Sequence, residues 1–195
     1  LDESGKLQQI QDMRQAEGKR TVPAQMLVPG GAKPSAQGLN PCFLWDNSAY
    51  LLGYKVDDKN PERTKLCFEA FRDRHISLSD EISSAGFRAV CEFLKGCDPG
   101  TISNYGDDVT ERLGNFGVFR IAGERCYVHE ERAVREYWDA QNAPVEKGSR
   151  GMCLVTGKWQ PIARLHEPKI KGVARAQTSG ALLVSFNDSS YESLG

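Results

Sequence analysis

Pairs of cysteine and histidine are the first residues in this 195-residue sequence that could do chemistry. Cys126 lies three positions before His129, and Cys153 lies thirteen before His166. Because zinc is bound by cysteine and histidine side chains at short spacings, each pair is a candidate for part of a zinc site. Cys126, however, falls in a predicted strand, where side chains three apart point to opposite faces. This geometry disfavours zinc, so we expect no metal site and no cofactor.

The same residues could form a cysteine nucleophile with a histidine base, as Cys153 with His166 or Cys97 with His75. A reactive cysteine needs a partly exposed, electropositive setting. Apolar neighbours on both sides of Cys153 favour burial instead. We therefore expect the six cysteines to be buried, reduced thiols in a cytoplasmic protein that is not an enzyme.

A glycine-rich stretch, Pro29-Gly-Gly-Ala-Lys33, could approach a phosphate closely. It lacks the P-loop spacing that ends in Lys-Ser or Lys-Thr, so a nucleotide site is not predicted. The stretch belongs to a long irregular segment, residues 13–41, with four cations and a single acid, Glu17. Loops of this length in compact domains are usually functional or disordered. We predict that Lys33 contacts nucleic-acid phosphate.

The strongest binding signal is a basic stretch in the last third of a chain whose net charge is −1. Residues 158–175 hold five Lys or Arg and one acid, whereas residues 57–139 hold 12 Lys or Arg and 17 acids. Cations dock on phosphates, and amide and hydroxyl groups read base edges. An ordinary exposed loop is the alternative. The predicted DNA contacts are Lys33, Lys169, Lys171, Arg175, Gln177, Thr178 and Ser179.

These groups must be positioned by an α+β fold, with mixed or antiparallel strands, about three helices and long irregular basic loops. Within residues 1–56 we predict a hairpin over 1–12 followed by a long loop. Residues 57–141 are expected to form a mostly helical acidic segment. Residues 150–195 are expected to form a basic loop and a strand. Alternating or apolar patterns predict strands. They are expected at 25–28, 43–45, 50–52, around a turn within 116–128, at 152–155 and at 181–186.

Capping signals predict where the helices begin and end. Asn60 and Pro61 are typical of the N-cap and first position of a helix. A second helix is expected from Ser79-Asp80 to Gly96, and a third over about 129–140. The apolar face expected for the first helix consists of Leu66, Ala70 and Phe71, with Cys67 beside it.

No apolar run approaches the length of a membrane span, and no signal peptide is visible. The sequence begins at Leu1, inside the predicted hairpin, without a start methionine. We therefore expect the chain to be part of a longer protein, with residues missing before it.

Several motifs together resemble one protein family. They are Pro41–Asn47, Val128–Glu130, Cys153–Gly157, Pro161–His166, Lys169–Val173, Gln177–Gly180 and Leu183–Asn187. In these the sequence is similar to the large subunit of the type I-C CRISPR interference complex, the Csd-type member of the Cascade large subunits. Two departures from the family pattern, Ala174 and the inserted Glu167, leave the basic groups in place and affect only the expected path of the loop.

The resemblance implies that residues 1–195 form the N-terminal domain of a longer, non-catalytic subunit. Such a subunit recognises the protospacer-adjacent motif in double-stranded target DNA and helps to open the duplex, near the 5′ handle of the CRISPR RNA. It contacts other Cascade subunits and helps to recruit a helicase-nuclease in trans. Two alternatives stay open: a metal-dependent nuclease or nucleotide-modifying enzyme with a Cys/His site, and a scaffold contacting only guide RNA and protein neighbours.

Overall fold

The computed structural model describes residues 1–18, 20–30, 33, 38–105, 113, 116–142, 150–153 and 156–161. The chain divides into two compact units, residues 1–141 and 142–195. Short antiparallel strand pairs and helices make the fold α+β, as predicted. No helix in the described ranges is both long enough and apolar enough to cross a membrane.

The first unit carries four helices and two strand pairs among its described residues. The helices are α1 (Ser48–Leu51), α2 (Pro61–Ser77), α3 (Ala85–Gly96) and α4 (Arg132–Gln141), with 3₁₀ turns at Pro99–Tyr105 and Val128–Glu130. Strand β1 (Gln15–Glu17) pairs with β2 (Arg20–Val22), and β3 (Trp45–Asn47) pairs with β4 (Phe116–Val118). The three helices of ten or more residues match the predicted number.

The second unit is described over one hairpin. Strand β5 (Arg150–Met152) pairs antiparallel with β6 (Trp159–Pro161). The backbone N–H of Cys153 donates to the carbonyl of Lys158 at 2.9 Å, and Gly157 takes a left-handed conformation at the turn. The strand predicted at 152–155 shares only Met152 with β5, and Leu154 and Val155 lie outside the described residues. The strand predicted at 181–186 lies outside the described residues.

Side-chain caps set the helix starts. The Asn60 side chain accepts a hydrogen bond from the Arg63 N–H, with Pro61 at the first helical position, as predicted. The Ser84 side chain caps α3 through the Phe87 N–H, so the predicted start at Ser79-Asp80 is wrong. Residues 79 and 81 instead continue in turns hydrogen-bonded to the end of α2. α4 begins at Arg132 because a 3₁₀ turn occupies residues 128–130.

Several predicted strands are replaced by other structure. Residues 50 and 51 of the strand predicted at 50–52 are instead helical, because the Asn47 side chain accepts from the Ala49 N–H and caps α1. The strand predicted at 25–28 is absent from those described residues, whereas a hairpin forms at 15–22. The turn of the hairpin predicted over 1–12 is present, yet residues 1–12 form no strand. Leu1 is instead hydrogen-bonded to Arg120 and Ala122, which lie far along the chain.

The core of the first unit lies where α2, α3 and α4 meet. Phe71 from α2, Phe87 from α3 and Val134 from α4 are fully buried in it. The buried face of α2 includes the predicted Phe71 and Cys67 but not Leu66, which is 49% exposed. That face consists of Thr64, Cys67, Phe68, Phe71 and His75.

Burial of all six cysteines is not found. Cys67 and Cys91 are buried, three others are half-buried, and Cys126 is exposed at a bend before Tyr127. All six are described and none forms a disulfide. The apolar neighbours of a cysteine therefore predicted its burial correctly only where it lies on the inner face of α2 or α3.

Candidate nucleic-acid interface

A cleft of about 550 Å³ opens beside the connection between α1 and α2. Residues 55–60 of this connection and the first turn of α2 form one side, and the β3–β4 pair contributes Asn47 and Phe116. The volume lies within the range of about 300–1,000 Å³ that is usual for small-ligand sites. The cleft therefore has room for a small-molecule-sized ligand.

Local hydrogen bonds set the backbone conformation of the connection between α1 and α2. Asp57 has a φ of 48°, a left-handed conformation that Asp tolerates better than most residues. The next carboxylate, Asp58, accepts from the Asn60 N–H at 2.9 Å. Its pKa is lowered, first by a hydrogen bond from the Thr64 side chain and then by that from Asn60, so the carboxylate stays ionised. This bonding holds the turn that leads into α2.

The cleft is lined by more positive than negative charge. Lys55, Lys59 and Arg63 are exposed at its edge, and Asp58 is the one acid among its lining residues. Neither lysine forms an ion pair with another described residue. The Arg63 guanidinium donates to the Gly38 carbonyl at 3.3 Å, which orients it across the cleft. Among the lining side chains, a polyanion entering here would meet more cations than anions.

Lys33, a predicted phosphate contact, also lines the cleft but is engaged with a buried acid. Its ammonium forms an ion pair with Asp46 and lies 3.5 Å from the centre of the Tyr50 ring. Asp46 is fully buried and also accepts from the backbone N–H groups of Cys42, at 3.0 Å, and Asn47, at 2.7 Å. Since a buried carboxylate needs a compensating charge, much of the Lys33 charge is used in neutralising Asp46.

An exposed aromatic ring lies on the β4 side of the cleft. The Phe116 residue is 63% exposed, and its ring centre is 5.5 Å from that of Trp45 at an angle of 58°. Trp45 is itself buried, and its indole N–H donates to the Pro29 carbonyl at 2.8 Å. The cleft thus combines exposed cations with an aromatic ring that Trp45 contacts on one side.

Comparison with known families confirms the resemblance. The model of the family described as CRISPR-associated protein (Cas_Csd1) matches residues 1–195. The chain belongs to this family. As a Csd1-type protein it is a CRISPR-associated subunit of the type I-C Cascade kind. No curated protein matches the chain.

In this Csd1-family chain, most predicted DNA contacts lie outside the described residues. They are Lys169, Lys171, Arg175, Gln177, Thr178 and Ser179. Sequence reasoning missed Lys55, Lys59, Arg63 and Phe116. Lys59 and Arg63 fall in the net-negative segment 57–139, and Lys55 lies two positions before Asp57 and Asp58, so neighbouring acids concealed all three. The available signal was the position of two lysines just before the Asn60 helix cap.

The Cys/His pairs of this family member show no arrangement for catalysis among the described residues. His75 is buried and uses both ring nitrogens: Nε2 accepts from the Leu44 N–H at 3.0 Å, and Nδ1 donates to the Phe71 carbonyl at 2.7 Å. Burial raises the pKa of the Cys97 thiol to about 11, with the Asp98 charge contributing. Cys97 therefore carries little thiolate at neutral pH, and His75 is committed to the backbone.

The candidate zinc pairs are likewise not assembled within the described ranges. Cys126 is exposed, whereas His129 is buried, with Nε2 3.1 Å from the Leu27 carbonyl. No group of three or more potential metal ligands occurs among the described residues. His166, the partner considered for Cys153, lies outside them.

Proposed function

We propose that this chain is a non-catalytic DNA-binding subunit of a CRISPR RNA-guided complex. In this role it recognises the protospacer-adjacent motif in double-stranded DNA and aids opening of the duplex. The observation that carries the proposal is the cation-lined cleft, found in a chain of the Csd1 family. Protein recognition of a short motif beside a guide-paired target follows the general logic of RNA-guided systems.

The proposal divides the contacts into two groups. Cations dock on the phosphate backbone regardless of sequence, and Lys169, Lys171 and Arg175 join the cleft cations in this role. Gln177, with Thr178 or Ser179, reads the motif or wedges the first base step. Lys33 also belongs to the phosphate contacts. Its contribution is reduced because its ammonium is paired with Asp46.

The partners follow from the same role. We propose contacts with the 5′ handle of the CRISPR RNA and with other Cascade subunits, and recruitment of a separate helicase-nuclease that cuts the DNA. Six cysteines without disulfides suit the reducing cytoplasm in which such a complex works.

Absence of catalysis is part of the proposal. Burial raises the pKa values of Cys42, Cys91 and Cys97 to about 11, which is unfavourable for nucleophiles. We expect the purified chain to leave nucleic acid uncleaved and nucleotides unhydrolysed with Mg²⁺, Mn²⁺ or Zn²⁺ supplied. Cleavage that survives purification and is lost on Cys126→Ser or His166→Ala would support the enzyme alternative instead.

The decisive experiment measures DNA binding by the intact complex, on duplexes with the correct and with a scrambled motif. The proposal expects weaker binding to the scrambled duplex and a loss of about 1–3 kcal/mol on the correct motif for Gln177→Ala. A Lys169→Ala/Lys171→Ala variant should weaken binding to both duplexes and flatten the salt dependence by about one unit per lost contact. Equal affinity of the complex for both duplexes would contradict motif recognition and favour the scaffold alternative.

A further inference from the structure

Lys33 differs from the other lysines of the cleft because its ion-pair partner is buried. Its ammonium pairs with the fully buried Asp46, and only 17% of the Lys33 side chain is exposed. Lys55 and Lys59 line the same cleft, are exposed, and form no ion pair with another described residue. The lysines of the cleft therefore offer unequal amounts of charge to an anion.

Two groups of the protein hold the Lys33 ammonium. The Asp46 carboxylate pairs with it, and the centre of the buried Tyr50 ring lies 3.5 Å from its nitrogen. Attraction of a cation to an aromatic face adds to the attraction of the carboxylate. An anion in the cleft would have to compete with both groups for this ammonium.

The segment that carries Asp46 is fixed in the core. The Asp46 carboxylate accepts from the backbone N–H groups of Cys42, at 3.0 Å, and Asn47, at 2.7 Å. Two positions before it, Leu44 is fully buried with a φ of 62°, and its N–H donates to Nε2 of His75 at 3.0 Å. A left-handed leucine persists only where its surroundings enforce it. The carboxylate is therefore held at this place and does not follow the lysine outwards.

In a competition for the Lys33 ammonium, Asp46 has the advantage over a DNA phosphate. Withdrawal of the lysine would leave a buried carboxylate without its compensating cation, which is strongly unfavourable. An ion pair formed in contact with water returns little free energy. Stability alone does not account for the pair, because apolar residues of similar size often stabilise a core as well. What the pair does change is the charge that the cleft presents.

We propose that Asp46 limits sequence-independent DNA binding at the cleft by neutralising Lys33. The inference rests on the proposed function in one respect, that the chain binds DNA. It goes beyond that function because it gives control of the docking strength to a buried acid that does not line the cleft. Limited docking strength allows a protein to slide and hop along DNA that lacks its motif.

Asp46→Asn tests the proposal, since it removes the charge and keeps the size of the side chain. Fluorescence anisotropy measures binding of the intact complex to labelled duplexes with the correct and with a scrambled motif. Neither duplex is complementary to the guide, so base pairing does not contribute. The variant should bind both duplexes more tightly, and the slope of log affinity against log salt should steepen by about 0.9. Between about 200 and about 50 mM salt, its advantage over the wild type should grow about 3-fold.

A second variant tests whether Asp46 acts through Lys33. Lys33→Met/Asp46→Asn removes both charges, and its slope should return close to that of the wild type. A purely structural role of Asp46 would not give this pattern, because a destabilised chain loses affinity instead of gaining it. Circular dichroism establishes that each variant is folded. If Asp46→Asn does not fold, the slope of the double variant decides the question by itself.

Asp73→Asn is the matched control for the change in net charge. Asp73 pairs with Arg72 at 3.0 Å, is 68% exposed in its side chain, and does not line the cleft. Its substitution changes the charge of the chain by the same amount as Asp46→Asn. It should change the salt slope less than Asp46→Asn does.

Three results would overturn the inference. An unchanged slope in folded Asp46→Asn would show that the ion pair does not limit binding. Equal steepening by Asp73→Asn would assign the gain to net charge alone. A double variant whose slope is about 0.9 shallower than that of the wild type would show that Lys33 is already a full phosphate contact. Each of these leaves the proposed function standing if the wild-type complex prefers the correct motif, whereas equal wild-type affinity for both duplexes would reject that function.

Discussion

His75 makes the stability of the fold depend on pH in a defined window. Its ring stacks on Phe43 at 5.7 Å and lies 4.0 Å from the ring centre of Phe71. Burial lowers its pKa from 6.5 to about 4, against the raising effect of the hydrogen bond to the Phe71 carbonyl. Neutral His75 also accepts from the Leu44 N–H, which lies on a residue with a φ of 62°. Protonation removes this acceptor.

The sign and the size follow from linkage. Between pH 6.5 and 4 the unfolded chain binds a proton at His75 and the folded chain does not, so stability falls as the pH falls. The full difference amounts to about 3 kcal/mol, at about 1.4 kcal/mol for each pKa unit. Between pH 7 and pH 5, His75 should account for a loss of about 2 kcal/mol. Above pH 7 its contribution to the pH dependence should vanish.

Urea unfolding at pH 7 and pH 5 measures this loss. His75→Gln supplies a side chain that does not titrate and can still accept from the Leu44 N–H. The variant will be less stable at both pH values, because it loses the ring contacts. Its loss between pH 7 and pH 5 should nevertheless be about 2 kcal/mol smaller than that of the wild type.

His129 provides the matched control. Burial also lowers its pKa, yet it is less enclosed than His75, so His129→Gln should change the pH dependence less. Titration of carboxylates is common to all three chains and cancels in the comparison. If wild type and His75→Gln lost the same stability between pH 7 and pH 5, the reasoning that His75 is held neutral by burial would be refuted.

Three further predictions concern stability and are measured by urea unfolding at pH 7. Asp46→Asn leaves the Lys33 ammonium without its charged partner and should cost about 3 kcal/mol, whereas an unchanged midpoint would show that the ion pair contributes nothing. Ser84→Ala removes the cap of α3 and its bond to Glu131 and should cost about 1 kcal/mol, more than Ser79→Ala. Gly5→Ala should cost more than 1 kcal/mol, about what such backbone strain costs, because the new Cβ would lie 2.5 Å from the Ala89 carbonyl oxygen at a φ of 85°; wild-type stability would contradict that close approach.

Local signals in the sequence predicted the features whose causes are local. The cap of α2 at Asn60 and the end of α3 at Gly96 each depend on hydrogen bonds or backbone conformations within a few residues. Such interactions are the same in a short peptide and in the folded protein. The α+β class followed from these elements, and the family followed from the motifs spread along the chain.

Only the tertiary structure decided which faces and charges are available. Leu66 and Cys67 are adjacent on α2, and packing against the core, not their apolar character, buries Cys67 and exposes Leu66. Lys33 reads as a free cation until the fold brings it to Asp46.

The cleft has the same origin. Asn47 and Phe116 are partners in the β3–β4 pair, although they lie 69 positions apart in the sequence. No local pattern specifies such a pairing, because it depends on the whole core closing between the two segments. The exposure of Phe116 beside Lys55, Lys59 and Arg63 is therefore a property of the folded chain alone.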